Sequence, residues 1–444
     1  MKPNSFKLRC GRWCIVVCLT GLGGAPRPAN GAEAAPAATN APPTTLDALV
    51  ADVLERNPEL NFYRAEIGAV KGERRSAAAW ANPELSASAG SKRVTDGSFV
   101  GEGVAWSVSV RQTFEWPGRI GLRKAIANHQ IKLADLGLDQ FRSALAARAR
   151  TLAFTLFAAQ EKAAAAREVG DRFQALREVL VQRDPAGVTP LLETRIIEAT
   201  ELTLHRKATD AALEAQAAVL ELNQLQGQPW THALKVDSAQ LTFTAAPDMD
   251  ALLAAAHTNN FELRMRQAEL EQQGFKVTLA KQEKYPALTV GPYFSQERAG
   301  DRETQVGIGV SVPLPLWNQS KGKVVTEEAR QQQAATSLVV AQRNLERQVV
   351  EKALAYQTRL GEMTKWRPDS AQQFKEAAAL ADRHYRVGAV PIATYIELQK
   401  QYLEAVEALL STQREALEGG QELQRLTGLD FNAVQIAKPA EEKK

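Results

Sequence analysis

Five histidines, His129, His205, His232, His257 and His384, hold the sequence's capacity for metal or acid–base chemistry, and no two stand at metal-ligand spacing. Each reads as a surface or interface residue. The three cysteines, Cys10, Cys14 and Cys18, crowd together at the start of the chain. No GxSxG elbow, phosphate-binding loop or dinucleotide fingerprint occurs. Neither a catalytic residue, a resident metal nor a cofactor is therefore expected, and the reading is of a protein that is not an enzyme.

The elements that position these residues come in two copies. "DPAGVTPLLE" and "YRVGAVPIATYIE" share a Gly-x-x-Pro spacing, with Gly187 and Gly388 lying 201 residues apart. The same offset carries Leu222, Leu225 and Gly227 onto Leu423, Leu426 and Gly428. Nearer the start of each half, "LDALVADVLERNPEL" faces "MDALLAAAHTNNFEL", and Pro83 and Leu85 face Pro286 and Leu288. A long internal period of this kind predicts one architecture built from two similar units. The first repeat is read as 46–228 and the second as 248–429, followed by a C-terminal tail at 430–444.

Of 444 residues, 45% are hydrophobic but only 6% aromatic, a composition suited to closely packed, alanine-rich helices rather than thick cores. A net charge of +3 on this length implies no nucleic-acid partner. At the N-terminus, Lys2, Lys7, Arg9 and Arg12 precede the short apolar run "WCIVVCLTGLGG" and then small residues, which is the three-part pattern of a secretory signal over 1–32. All three cysteines fall inside it, so the exported chain is expected to carry no thiol. An Ala/Pro-rich linker follows over 33–45.

Each repeat switches from helical to alternating pattern. "VAWSVSV" sets Val104, Trp106, Val108 and Val110 against Ala105, Ser107 and Ser109, and "VGIGVSV" sets Val306, Ile308, Val310 and Val312 against Gly307, Gly309 and Ser311. The reading gives strands at about 85–94 and 104–114 in the first repeat and 288–295 and 305–313 in the second. Periodicity alone leaves a half-buried soluble sheet and a lipid-facing wall both open. Trp116 and Trp317, just past the second and fourth strands beside Pro117 and Pro315, favour the wall, because interfacial aromatics belong there. Four strands cannot close a barrel, and open edges in lipid leave unpaired backbone groups, so the chain must supply part of a shared one.

Long helices follow each strand pair. Leu338, Ala341, Leu345, Val349, Ala353, Tyr356 and Leu360 step by three and four residues and mark one apolar stripe. Descending helices from about 119 to 183 and from 322 to 386 would each reach roughly 95 Å if unbroken, with Gly170 and Pro368 as expected points of kinking. The Gly-x-x-Pro turns at about 184–190 and 385–391 then become the tips of two helical hairpins, Gly388 ending one helix and Pro391 starting its neighbour.

The duplicated plan, "YRVGAVPIATYIELQKQYLEA" and "VSVPLPLWNQSKGK" resemble the TolC-like outer-membrane efflux family, and among its members the ducts of cobalt-zinc-cadmium type cation efflux. The resemblance covers about 46–429. It implies a mainly α fold with a membrane β-barrel portion: a duplicated helix-strand-strand-helix unit whose long hairpins form a periplasmic tunnel, and four strands per chain contributing to a trimeric, twelve-stranded barrel. It further implies a homotrimer in the outer-membrane lipid of a Gram-negative bacterium. Its tips, Gly187, Pro190, Tyr385, Gly388 and Pro391, would dock on a periplasmic adaptor fed by an inner-membrane, proton-driven exporter of the RND type. Family members often narrow the tunnel with acids beyond the tip, a place filled by Glu193 and Glu397, whereas Thr394, the repeat equivalent of Glu193, departs from the pattern. By themselves both glutamates read as exposed helix carboxylates. The expected function is a passive exit duct for heavy-metal cations, with a duct for organic drugs or secreted cargo as alternative. A periplasmic coiled-coil adaptor or scaffold would explain the helices but not four alternating strands at equivalent points of two repeats.

Overall fold

A computed structural model describes residues 45–96, 99–183, 191–236, 240–243, 245–316, 320–363, 365, 370–429 and 435–437. The expected signal and nearly all of the linker, the first Gly-x-x-Pro turn with Gly187 and Pro190, Trp317, Pro368, and the tail apart from 435–437 lie outside the described residues.

Each repeat opens with a short helix pair, α1 (Leu46–Arg56) and α2 (Glu59–Ala78) in the first, α5 (Met249–Asn259) and α6 (Phe261–Gln282) in the second. Strands β1 (Glu84–Asp96) and β2 (Phe99–Phe114) follow the first pair, and β4 (Leu288–Ala299) and β5 (Asp301–Ser311) the second. The descending helix of the first repeat is α3 (Arg119–Arg183), 65 residues and therefore about 97 Å long, returned by α4 (Leu191–Gln226). The second repeat descends in two pieces, α7 (Lys321–Met363) and α8 (Ser370–Arg386), and returns as α9 (Ile392–Thr427). A small antiparallel pair, β3 (Gln240–Thr242) with β6 (Gln435–Ala437), lies apart from the main sheet.

One of the two expected kinks is corrected: Gly170 does not interrupt α3, because one glycine costs only about 1 kcal/mol in a helix and the buried neighbours Val169 and Phe173 hold this one in place. The second descending helix runs in two pieces, one ending at Met363 and the next starting at Ser370, an interval that holds Pro368, the other expected point of kinking. All four strands of the main sheet also extend further into their hairpin connections than alternation indicates, β2 beginning at Phe99 and β5 at Asp301. Charged and small residues there carry no apolar period yet still pair in register.

The helices pack through narrow stripes. Leu49, Val53, Leu60, Leu156, Leu222 and Leu225 fill a core among α1, α2, α3 and α4. In the second repeat Leu252, Leu263, Val349, Tyr356 and Leu423 do the same among α5, α6, α7 and α9. The buried stripe of α7 is Leu345, Val349, Ala353 and Tyr356. Burial pushes the Tyr356 hydroxyl up to about 12, so it stays neutral throughout the physiological range.

The two repeats share a polar clamp that sequence reasoning did not single out. Asn57, almost fully buried, donates from Nδ2 to the Leu225 carbonyl at 2.9 Å, and its Oδ1 accepts from Glu59 N at 2.9 Å. Asn260 repeats this, donating to the Leu426 carbonyl at 3.0 Å and accepting from Leu263 N at 3.0 Å. Each asparagine thus starts one helix while satisfying a last-turn carbonyl of another, both being groups that a helix end leaves orphaned. Gly227 and Gly428, with φ of 66° and 64°, close the clamped helices in the left-handed conformation. A Cβ at Gly428 would also lie 2.6 Å from Asn259 Cβ. Asn260→Ala leaves a buried carbonyl unpaired and should destabilise its repeat by about 1–3 kcal/mol. Thermal unfolding of the variant beside an exposed control, Gln357→Ala, checks this: equal midpoints would remove the clamp.

Candidate functional site

The main sheet has the order β1-β2-β4-β5, so the two hairpins, one from each repeat, join through β2 and β4. Cross-strand pairs place Ala87 opposite Val108, Val108 opposite Phe294, and Phe294 opposite Val306. Pairs share a face, so these residues, with Leu85, Trp106, Val110, Ile308 and Val310, line one side of the sheet. On the other side Ser88 lies opposite Ser107, Ser109 opposite Tyr293, and Tyr293 opposite Gly307. Lys92 bridges this polar side, its Nζ lying 2.6 Å from Glu297 and 3.2 Å from Glu303.

Among the described residues no helix packs extensively over either face. Val306, Ile308 and Val310 are 77%, 74% and 65% exposed in a row along β5, and Leu85 and Val104 are exposed on the same face in β1 and β2 across the sheet. A contiguous bare apolar surface of this size is foreign to a protein facing water alone. Strands of 11 to 16 residues are long enough, tilted, to cross a hydrocarbon core. Within the chain β1 and β5 each have one pairing edge unused. Among the described residues no helix is long and apolar enough to cross a membrane.

An aromatic band marks the foot of the sheet. Trp116 stacks on Tyr285 with ring centroids 4.6 Å apart and planes at 15°, and Trp80 meets Phe114 edge-on at 6.0 Å. Trp116 was the expected member; Trp80, Phe114 and Tyr285 join it only through folding. Arg119 clasps the region by donating from Nη2 to the carbonyls of Gln282, at 2.7 Å, and Tyr285. Gly118, at φ 94°, makes the turn from β2 into α3.

At the far end, α8 stops at Arg386 and Gly388 adopts φ 75°, with its N–H bonded to the Tyr385 carbonyl at 2.9 Å. Among the described residues nothing lies within 4 Å of where a Gly388 Cβ would stand, and Val387 beside it is exposed. Pro391 is the N-cap of α9 rather than its first residue, and its carbonyl accepts from Thr394 N and Tyr395 N. Beneath the turn, Tyr385 stacks on Tyr395 at 5.2 Å and 18°, and Tyr395 in turn contacts Phe173 of α3. Tyr395 is fully buried, donates to Asp382 Oδ1 at 3.4 Å, and is pushed well above the usual tyrosine range by burial and by the Asp382 charge. Behind it, Gln399 donates to the Ala378 carbonyl at 2.7 Å and accepts from Arg172. Glu168 holds Arg172 at 2.7 Å and Lys375 at 3.0 Å, and that hydrogen bond keeps the Lys375 ammonium above the ordinary lysine range. The tip of the second hairpin is thereby braced on α3. Tyr395 lies within the quoted tip motif, yet nothing local separates it from Tyr385 or Tyr402.

Glu397 is exposed on the face of α9 opposite Tyr395 and Gln399, and among the described residues its side chain accepts from Gln401 Nε2 at 3.0 Å. The backbone of Glu193 lies in the first turn of α4, and its side chain is outside the described residues. The histidines stay apart. His257 pairs with Glu346 at 3.2 Å, and His129 lies against Phe275 and 3.6 Å from Glu271. Among the described residues no group of three or more His, Cys, Asp or Glu is placed to hold a metal ion.

Residues 252–429, essentially the second repeat, match the sequence model of the family described as outer membrane efflux protein. No curated protein sequence matches the chain. Among solved structures, a membrane protein from Pseudomonas aeruginosa is similar with a TM-score of 0.70 at 18% identity, over 86% of this chain and 90% of that one. The Campylobacter jejuni CmeC outer membrane channel is similar with a TM-score of 0.70 at 14% identity, over 86% and 85%. CusC gives a TM-score of 0.69 at 12% identity, over 87% and 92%. The chain has the fold of these TolC-like channels.

Proposed function

We propose that this chain is the outer-membrane exit duct of a tripartite, proton-driven efflux system, working as a homotrimer and exporting heavy-metal cations. The observation that carries the reading is the four-stranded sheet, bare and apolar on one face, polar on the other, and unpaired at both edges. An open edge in hydrocarbon leaves backbone groups unsatisfied at several kcal/mol each, so β5 of one copy pairs with β1 of the next until the ring closes. Three copies of four strands give an even-stranded barrel of twelve. The family match over 252–429 and the shared fold support the same reading.

In this duct the serine and glycine face lines a wet lumen, and the long helices continue it into the periplasm. The tips at Gly388 and Gly187, with Tyr385, Pro190 and Pro391, meet a periplasmic adaptor fed by an inner-membrane exporter. Glu397 and Glu193 stand near those tips, where a threefold ring of carboxylates would favour cations over anions. Transport is passive within the chain, with no covalent step.

Orientation tests the proposal directly. With the signal removed no native thiol remains, so single cysteines report cleanly. Val108→Cys and Ile308→Cys are expected to resist a membrane-impermeant thiol reagent in outer-membrane vesicles, while Ser109→Cys and Ser311→Cys react. Equal reaction at all four positions would return the sheet to water, and extraction without detergent would favour a periplasmic scaffold. Cargo is decided separately by the sensitivity of a deletion strain to zinc, cobalt, cadmium, nickel, copper and silver. Sensitivity to organic compounds alone would replace the metal cargo.

A further inference from the structure

The four places where strands meet helices form one charged collar. Arg74 Nε donates to Asn128 Oδ1 at 2.6 Å, and Arg123 Nε to the Ala77 carbonyl at 3.2 Å, joining the end of α2 to the start of α3. Arg119 joins α3 to the end of α6. Lys281 pairs with Glu328 at 2.8 Å and Lys323 with Glu283 at 2.5 Å, joining α6 to α7. Residues 71–80, 115–124, 281–285 and 321–323 are thus neighbours in space. Together they hold ten lysines and arginines against three carboxylates, four with Glu328, in a chain whose whole net charge is +3.

Internal pairing does not account for this excess. Arg75, Lys124, Lys284 and Lys321 are exposed, and among the described residues none of the four has a carboxylate within ion-pair distance. Lys284 Nζ lies 4.9 Å from the centroid of the Tyr285 ring, the ring stacked on Trp116. The collar therefore abuts the aromatic band. Above that band runs the bare apolar face, prolonged past β5 by the exposed Leu314 and Leu316. Apolar surface, then amphipathic rings, then cations is the layered order of one membrane leaflet, read from acyl chains through the glycerol level to the phosphates.

We infer that this collar binds the anionic headgroups of phospholipids in the leaflet that faces the helices. The inference rests on the barrel reading and adds to it a lipid of stated charge. A soluble polyanion would need the cations but not the rings and apolar surface flush against them. A ligand anchored in hydrocarbon uses all three. Each cation near an anionic surface shifts partition by about fivefold, so four act strongly together.

The test uses the trimer purified from outer membranes and reconstituted into nanodiscs, either of phosphatidylcholine or of an equimolar mixture with phosphatidylglycerol. Native mass spectrometry after gentle delipidation counts the retained lipids. The wild type is expected to retain phosphatidylglycerol over phosphatidylcholine, and the variant carrying Arg75→Gln, Lys124→Gln, Lys284→Gln and Lys321→Gln to lose at least about tenfold of that preference. A control with four neutralised cations far from the collar, at Arg347, Lys352, Arg383 and Lys400, should keep it. Insertion into neutral nanodiscs without any phosphatidylglycerol preference, or equal loss in the control, overturns the inference and leaves the barrel standing. Failure to insert into either nanodisc overturns both. Preferential retention of lipopolysaccharide from the native membrane, with phosphatidylglycerol ignored, overturns the assignment to phospholipid. If the quadruple variant assembles poorly, Lys284→Gln alone, read by the same ratio, decides the matter.

Discussion

Gly388→Phe is expected to abolish efflux-dependent resistance while leaving the trimer in the outer membrane. The backbone at φ 75° makes any β-carbon cost about 1 kcal/mol, too little to unfold a hairpin braced by Tyr385, Tyr395 and Phe173. Among the described residues no atom lies within 4 Å of the new Cβ, so the ring projects into the space proposed for the adaptor rather than into the described fold. The proposed barrel, separated from the tip by most of the length of the helices, would not feel it. Gln357→Phe, at an exposed site midway along the tunnel wall, should be much milder. Resistance, trimer content and crosslinking to the adaptor are measured for both variants. Normal resistance and crosslinking in the Gly388 variant would make the turn only a turn and move the docking site elsewhere.

Ile308→Arg is expected to remove the protein from the outer membrane. Ile308 lies within β5 on the apolar face, opposite Pro292 and 74% exposed. A guanidinium near the bilayer midplane costs about 2–4 kcal/mol in a transmembrane strand. A homotrimer would bear that cost three times in one assembly step. Ser311→Arg, on the other parity of the same strand, projects into the wet lumen and should assemble normally. Trimer content in outer-membrane fractions distinguishes the two, and equal assembly of both variants would mean that the bare face does not meet lipid.

Much of this was legible in local pattern. The alternation of Val306, Ile308 and Val310 against Gly307 and Gly309 states which residues share a face, because a strand repeats every two residues whatever its partners. The stripe on α7 names its buried residues because the helical period is equally local. Duplication was visible as a fixed offset, whereas the fold class came from the resemblance of the duplicated plan and its motifs to a known family. The helix ends were partly visible too: Gly227, Gly388 and Gly428 all adopt positive φ, which glycine takes at little cost.

Other features depended on residues far apart in the chain. The order β1-β2-β4-β5 could not be read locally, since alternation says which face a residue occupies and nothing about which strand lies beside it. Nothing local marks Asn57 and Asn260, because each is bonded to a carbonyl more than 160 positions away. The intact helix at Gly170 likewise reflects the packing of its buried neighbours Val169 and Phe173, which outweighs the propensity of a single residue. The collar is the clearest case. Its cations come from four short basic segments far apart in sequence, and only the joining of α2, α3, α6 and α7 brings them together beneath the aromatic rings. By itself the sequence determined periods, repeats and turns, because these follow from the backbone geometry of neighbouring residues. The tertiary structure decided pairings, clamps and the density of charge, because these are sums over residues that meet only after the chain has folded.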